Sequence, residues 1–152
     1  MFTLVPSNFF NPAAERETLA EVSDLKEGDV VAHVEIPQYN AVLIYTVGGD
    51  SSVSGMPGIY DILTGLPDCR EYNKILCSIE GDTLNLAIAQ GKNLLLANWY
   101  RIQDFTTAEY YIFLAMKSLQ LNPEVSTICW KSRLSQEEEM SLYRYFKAVE
   151  QI

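Results

Sequence analysis

The sequence predicts a mixed α/β (α+β) protein, an antiparallel β-meander followed by helix, strand and helix, with a smaller partial lobe before it. Three observations carry this. "KILCSI", "TLNLAIA" and "LLLANWYRI" are strand-like runs separated by the short turns "EGD" and "QGKN". A helical segment follows from Thr106, and Pro123 prevents its continuation beyond about Gln120. The β-branched run "VSTICW" and an acid-led helical segment, "QEEEMSLYRYFKAVEQI", complete the order.

"LVPSNFF" opens the chain with a short apolar stretch, and Asn11 caps a helix with Pro12 at its first position, where a missing N–H costs nothing. Val30, Val31, Val34 and Ile36, then Ala41 to Val47, are β-branched-rich runs joined by "PQYN", which reads as a hairpin. "GGDSSVSGMPGIYDILTGLPDC" is rich in Gly and Pro and marks a connector, with a short helix near Ile59 to Thr64. The lobe boundary is therefore placed here, giving a partial first lobe over 1–68 and a second over 69–152.

In the second lobe Thr106 and Glu109 have capping-box spacing, as do Ser135 and Glu138. The first of these helices places Ile112, Ala115, Met116 and Leu119 on one face and Tyr110 and Phe113 on a neighbouring one. The last helix is expected to run to Ile152. Its core face is Leu142, Tyr145, Phe146 and Val149, which leaves Met140 and Tyr143 outside it. Tyr110, Phe113, Met140 and Tyr143 are thus the candidates for a protein-interaction surface, since aromatic and Met side chains anchor such surfaces. The strand after the first of these helices is expected to add beside the first strand of the meander.

Composition narrows the function classes. In 152 residues, 48% are apolar, enough for a real core. Twenty acidic against eleven basic residues give a net charge of -9, and the Lys and Arg are scattered, so a nucleic-acid partner is not expected. No apolar run approaches the roughly 20 residues that span a bilayer. The first residues lack a basic segment leading into a continuous apolar one, so no secretory signal is read there. Cys69, Cys77 and Cys129 lack zinc-ligand spacing and are read as buried thiols. A cytoplasmic protein without a membrane partner is the expectation.

The order β-β-β-α-β-α from Asn73 is that of the ribonuclease H-like lobe, which actin-like ATPases use twice. "LVPSNFF", "AVLIYTV" and "LLLANWYRIQDFTTAEYYIFLAMKSLQLNPE" resemble an uncharacterised bacterial domain-of-unknown-function family with an actin-like ATPase fold. The last stretch is the most specific, with an Asn and aromatic ending a strand and a Tyr-Tyr pair in the next helix. The resemblance implies longer chains, with a first meander before "LVPSNFF" and a last strand after Ile152. A shortened homologue, or part of a two-lobed protein, is therefore expected.

The resemblance also implies where a nucleotide would sit. In actin-like ATPases the turn between a lobe's first two strands carries an Asp that holds the metal's water shell, and small residues whose N–H groups face the phosphates. The matching turn here is "IEGDT", so Glu80, Gly81 and Asp82 are the cofactor-binding candidates. It lacks a second Gly and reads as an ordinary hairpin turn. "QGKN" lacks the spacing of a Walker loop, and "GGDSSVSG" lacks a basic residue. His33, the only histidine, is read as a strand-surface residue, and Glu137 to Glu139 as helix-capping acid. Asp82 and Asp104 are too sparse a set for a two-metal nuclease. No catalytic residue, metal site or cofactor is therefore assigned. The expectation is a non-catalytic interaction or scaffold protein that binds a protein partner or a second copy of itself. A divergent nucleotide-binding protein or ATPase is the alternative.

Overall fold

The structure, a computed structural model, describes residues 2–47 and 57–152. The chain divides into two compact units, Met1–Tyr60 and Asp61–Ile152, with one helix running across the division.

The first unit is a three-stranded antiparallel sheet. Strand β1 (Phe2–Pro6) and strand β2 (Val31–Ile36) flank β3 (Ala41–Thr46). The apolar opening of the sequence is thus a paired strand, with Leu4 opposite Leu43. Asn11 accepts a hydrogen bond from Ala13 N at 3.1 Å, and one 3-10 turn leads into helix α1 (Glu15–Ala20). Leu19 of α1 is buried with Val42 and Ile44 of β3, and Val5, Phe10, Leu25 and Val31 pack around them. The β2–β3 hairpin closes through Pro37–Tyr39 and Asn40, whose φ of 50° lies in the left-handed region that Asn tolerates better than most side chains.

The second unit holds a five-stranded sheet in the order β6-β5-β4-β7-β8. Strands β4 (Asn73–Glu80), β5 (Thr83–Gln90) and β6 (Asn93–Arg101) form the expected meander. Each hairpin has a two-residue turn, Gly81-Asp82 and Gly91-Lys92, with only the first residue at positive φ. That is the II′ geometry, in which Gly at the first central position matches the twist of the strands. Strand β7 (Thr127–Trp130) pairs parallel to β4, with Leu76 beside Cys129, as expected of the strand following the helix.

Helix α3 (Phe105–Ser118) and helix α4 (Gln136–Tyr143) carry much of the core. Ile75, Cys77, Leu84, Leu86, Ile88, Ile128 and Trp130 point from the sheet into one cluster with Ala108, Ile112, Met116 and Leu142. Strand alternation puts Leu76 and Cys129 on the opposite face. There the segment from helix α2 (Gly58–Gly65) to Cys69 approaches, and a Cβ on Gly65 would lie 3.4 Å from Leu76 Cδ2.

Two sequence expectations fail here, each for a local reason. Asp104, not Thr106, caps α3, and its carboxylate accepts from Thr107 N at 2.8 Å. Glu109 does not reach back to a cap and is buried instead. The last helix stops at Tyr143, and the chain turns to form β8 (Ala148–Gln151), parallel to β7. Apolar periodicity is ambiguous over so short a stretch, and the open edge of β7 decides it. Ile152 N bonds Trp130 O at 2.9 Å, and the Gln151 side chain spans Trp130 O and Ser132 O at 2.8 and 2.7 Å. The strand expected after Ile152 therefore lies within the chain. Tyr145, expected in the core, is half exposed.

Among the described residues, no helix is long and apolar enough to cross a membrane.

The packing makes the end of the chain testable. Phe146 is buried in the cluster and lies 5.7 Å from the Phe113 ring. Phe146→Ala is expected to cost about 3–5 kcal/mol in urea unfolding, and Tyr145→Ala much less. Equal costs would mean that the segment continues as a helix.

Candidate functional site

The candidate site is an open groove of about 250 Å³ at the β4–β5 turn. Ile79, Ile102 and Phe105 give it an apolar lining, Gly81 and Gln103 contribute to its wall, and Asp82, Asp104 and Glu138 add three carboxyl groups. The site thus gathers Gly81 and Asp82 with the first turns of α3 and α4. Glu80, the third member of the expected set, is not among the lining residues.

Each acid in the groove has local work. Asp104 Oδ1 accepts from Thr107 N and from Thr107 Oγ1, at 2.8 and 2.7 Å. These bonds hold the Asp104 carboxyl below the usual aspartate range. Glu138 and Ser135 form a reciprocal capping box at the start of α4, with bonds of 2.8 and 3.1 Å. Asp82 lies 3.8 Å from Arg101, both well exposed, and its carbonyl accepts from Ile102 N at 2.8 Å. Helix N-termini are natural anion sites, and here the Asp104 carboxylate takes the Thr107 N–H of α3 while Ser135 Oγ takes the Glu138 N–H of α4.

This arrangement is poorly suited to a polyphosphate. A two-residue turn offers at most the N–H groups of Gly81 and Asp82, where a phosphate cradle needs several. No Lys or Arg lines the groove. Its volume also falls below the roughly 300–1,000 Å³ of ordinary small-molecule sites. Among the described residues, no group of three or more His, Cys, Asp or Glu side chains is placed to hold a metal ion. The glycine-rich stretch Gly48 to Gly55 lies outside the described residues.

The other sequence candidates are distributed as follows. The His33 ring is 2.6 Å from Glu15 and packs on Phe10, which makes it part of the surface of the first unit. Lys92 is the second residue of a hairpin turn. Tyr110, Met140 and Tyr143 are all at least half exposed. Phe113 is only partly exposed, because its ring packs 4.9 Å from Tyr145 and on Phe146. Leu114 is half exposed one turn beyond Tyr110, and the sequence reading missed it. The i,i+4 spacing of the two was the available signal.

Helices α3 and α4 meet through a buried polar contact. Ser141 Oγ donates between the two carboxylate oxygens of Glu109, at 3.0 Å to each. Burial pushes the Glu109 carboxyl above the usual glutamate range, against the opposing pull of Ser141 and Arg144.

Asp104 and Glu109 should therefore act oppositely on stability as pH changes. Glu109, with a raised folded pKa, contributes stability that is present below the ordinary value of 4.5 and is lost as pH rises through the folded value. Asp104, with a depressed folded pKa, contributes stability that is present above 3.8 and is lost as pH falls through the folded value. Glu109→Gln is expected to remove the first loss and to be at least as stable as the parent at neutral pH. Asp104→Asn is expected to flatten the acid limb. Urea unfolding from about pH 2 to about pH 7, the range in which carboxyls titrate, checks both. A parent–variant difference independent of pH would contradict them.

Comparison with known proteins places the chain. No curated protein matches it. The solved structure of a Bacteroides thetaiotaomicron protein, described as having an actin-like ATPase fold and unknown function, matches with a TM-score of 0.78 at 17% identity. The match covers 99% of this chain and 64% of that one, so the chain spans less than two thirds of that protein's length. At this identity the likeness establishes the fold, and the chain has an actin-like ATPase fold. Residues 64–149, essentially the sheet and helices of the second unit, match the family described as "Protein of unknown function (DUF3822)", and the chain belongs to that family.

Proposed function

We propose that the protein is a non-catalytic interaction or scaffold protein built on an actin-like architecture that no longer uses a nucleotide. The observation that carries this reading is the groove. The turn at the phosphate-loop position is two residues long, and carboxylates stand where phosphates would need cations. Glu80, Gly81 and Asp82 then serve the hairpin and bind no cofactor.

The working surface in this reading is the outer side of α3 and α4. Tyr110, Leu114, Met140 and Tyr143 are exposed there, and Glu137 and Glu139 flank Met140. The chain as a whole carries a net charge of -9, and the contact this surface favours is apolar at its centre, with a protein partner or a second copy of the chain. The same charge disfavours nucleic acid. The setting is cytoplasmic, an assignment supported by three buried cysteines that form no disulfide.

A thermal melt with and without millimolar Mg·ATP tests the loss of nucleotide binding. Ligand at a hundred times its Kd would add about 2.7 kcal/mol and raise the midpoint by several degrees. No shift is expected. A clear shift would favour the nucleotide-binding alternative. For the surface, sedimentation at rising concentration is expected to show self-association that Tyr110→Ser with Met140→Ser weakens at least tenfold without changing the melting midpoint. A concentration-independent monomer would overturn self-association and assign the surface to a different chain.

A further inference from the structure

Among the described residues β6 ends the five-stranded sheet, so one of its backbone edges faces away from β5. The hairpins decide which groups face out. A two-residue turn is closed by a hydrogen-bonded pair, here Glu80 with Thr83 and Gln90 with Asn93. Bonded and open pairs then alternate, so Leu96, Asn98 and Tyr100 turn their N–H and C=O groups to Ile88, Leu86 and Leu84 of β5. Ala97, Trp99 and Arg101 turn theirs outward. Two hydrogen bonds agree with this. Ile102 N donates to Asp82 O at 2.8 Å, on the β5 side, while Trp99 N donates at 2.9 Å to the side chain of its neighbour Asn98. The register shift leaves Leu95 unpaired as a bulge, and beyond it the stretch from Leu96 to Arg101 is regular. That stretch has one charge, at its end, and no Lys or Pro of the kind that usually blunts an open edge.

Helix α3 is open on the same side. Its Tyr111 ring stacks on Tyr100 of β6 at 4.7 Å, whereas Glu109 and Phe113 turn toward α4 and the residues after it, through Ser141, Tyr145 and Phe146. With about 3.6 residues per turn, Leu114 lies beyond Tyr111 on the side away from α4. Leu114 is 50% exposed and Tyr110 60%, and the Tyr110 ring stands edge-on to Tyr111 at 5.6 Å. An unpaired strand edge and a line of exposed apolar side chains above it thus border one side of the second unit.

We propose that β6 is a self-pairing edge, to which β6 of a second copy adds antiparallel about a two-fold axis, joining two sheets into one. This deepens the self-association proposed above and rests on it. Outward N–H and C=O groups are recognised by another extended backbone, and this strand is complementary to itself. With Trp99 opposite its own counterpart, Ala97 lies opposite Arg101 on both sides of the axis. All three outward residues then meet outward residues, and the two arginines stay apart. The Trp99 N–H exchanges the Asn98 side chain for a carbonyl of the partner strand. Centring on Ala97 would run Trp99 into the Leu95 bulge, and centring on Arg101 would oppose like charges. In the Trp99 register Asn98 stands opposite Tyr100, so the Tyr100–Tyr111 stacks of the two copies, with Leu114 above, approach across the axis. A bare peptide strand would leave those side chains uncovered. The contact closes at two copies because each β6 is used once.

Sedimentation equilibrium of the full chain is expected to show a monomer–dimer equilibrium, and amide exchange read by NMR at low and high protein concentration locates the contact. The amides of Ala97 and Arg101 are expected to slow about tenfold or more in the dimer, while those of Asn98 and Tyr100, held by β5, are slow throughout. Ala97→Pro removes an outward N–H and none of the ladder to β5, so it is expected to weaken the dimer about tenfold or more at an unchanged melting midpoint. The exchange result on the parent chain holds whether or not that variant folds. A dimer in which the Ala97 and Arg101 amides keep the monomer's exchange rate would overturn the edge pairing and leave self-association through the helix surface. A monomer at every concentration would overturn both, and assembly beyond the dimer would overturn the two-fold closure.

Discussion

The β4–β5 ladder runs without a break from Asn73 opposite Gln90 to Glu80 opposite Thr83, and much of the second unit depends on that continuity. Its inner residues line the cluster that α3 and α4 cover, and its free side receives β7. The same continuity leaves only Gly81 and Asp82 outside the pairing. Backbone N–H groups used in a ladder cannot also face a phosphate. The pairing that builds the sheet thus also leaves only two turn residues outside the ladder.

Electrostatics reinforces the geometry. In a nucleotide site, helix N-termini and free amides concentrate positive potential. Here Asp104 takes one N–H at the start of α3, and the Ser135–Glu138 box takes one at the start of α4 and that of Ser135. A phosphate would have to displace them and lie near Asp82 as well. Charged groups used in helix caps contribute to stability, and Tyr110, Leu114, Met140 and Tyr143 are exposed on α3 and α4.

The meander was legible in the sequence because its signals agree. Strand alternation, a Gly at the first position of each turn and turns two residues long all point to one register. The helix at α2 and the parallel placement of β7 were legible too. Two errors came from the same source, local patterns that fit more than one structure. Glu109 has capping-box spacing from Thr106, yet Asp104 takes the cap and Glu109 turns inward to Ser141. "FKAVEQ" satisfies a helical period, but Phe146 anchors the turn and Ala148–Gln151 completes the sheet. Only tertiary pairing decides such cases. The groove's shortage of cations was partly visible, since "IEGDT" holds none. That Asp104 and Glu138 would join Asp82 there depends on how α3 and α4 begin, which spacing alone did not show.

The most direct measurement follows the backbone amide resonances of Gly81, Asp82 and Phe105 while magnesium pyrophosphate is added to the full chain. No saturable change is expected at these amides, because the turn leaves only two residues outside the ladder and Asp104 caps the helix start. Saturable shifts centred on Gly81 and Asp82 would contradict it and restore the turn as a phosphate-binding loop.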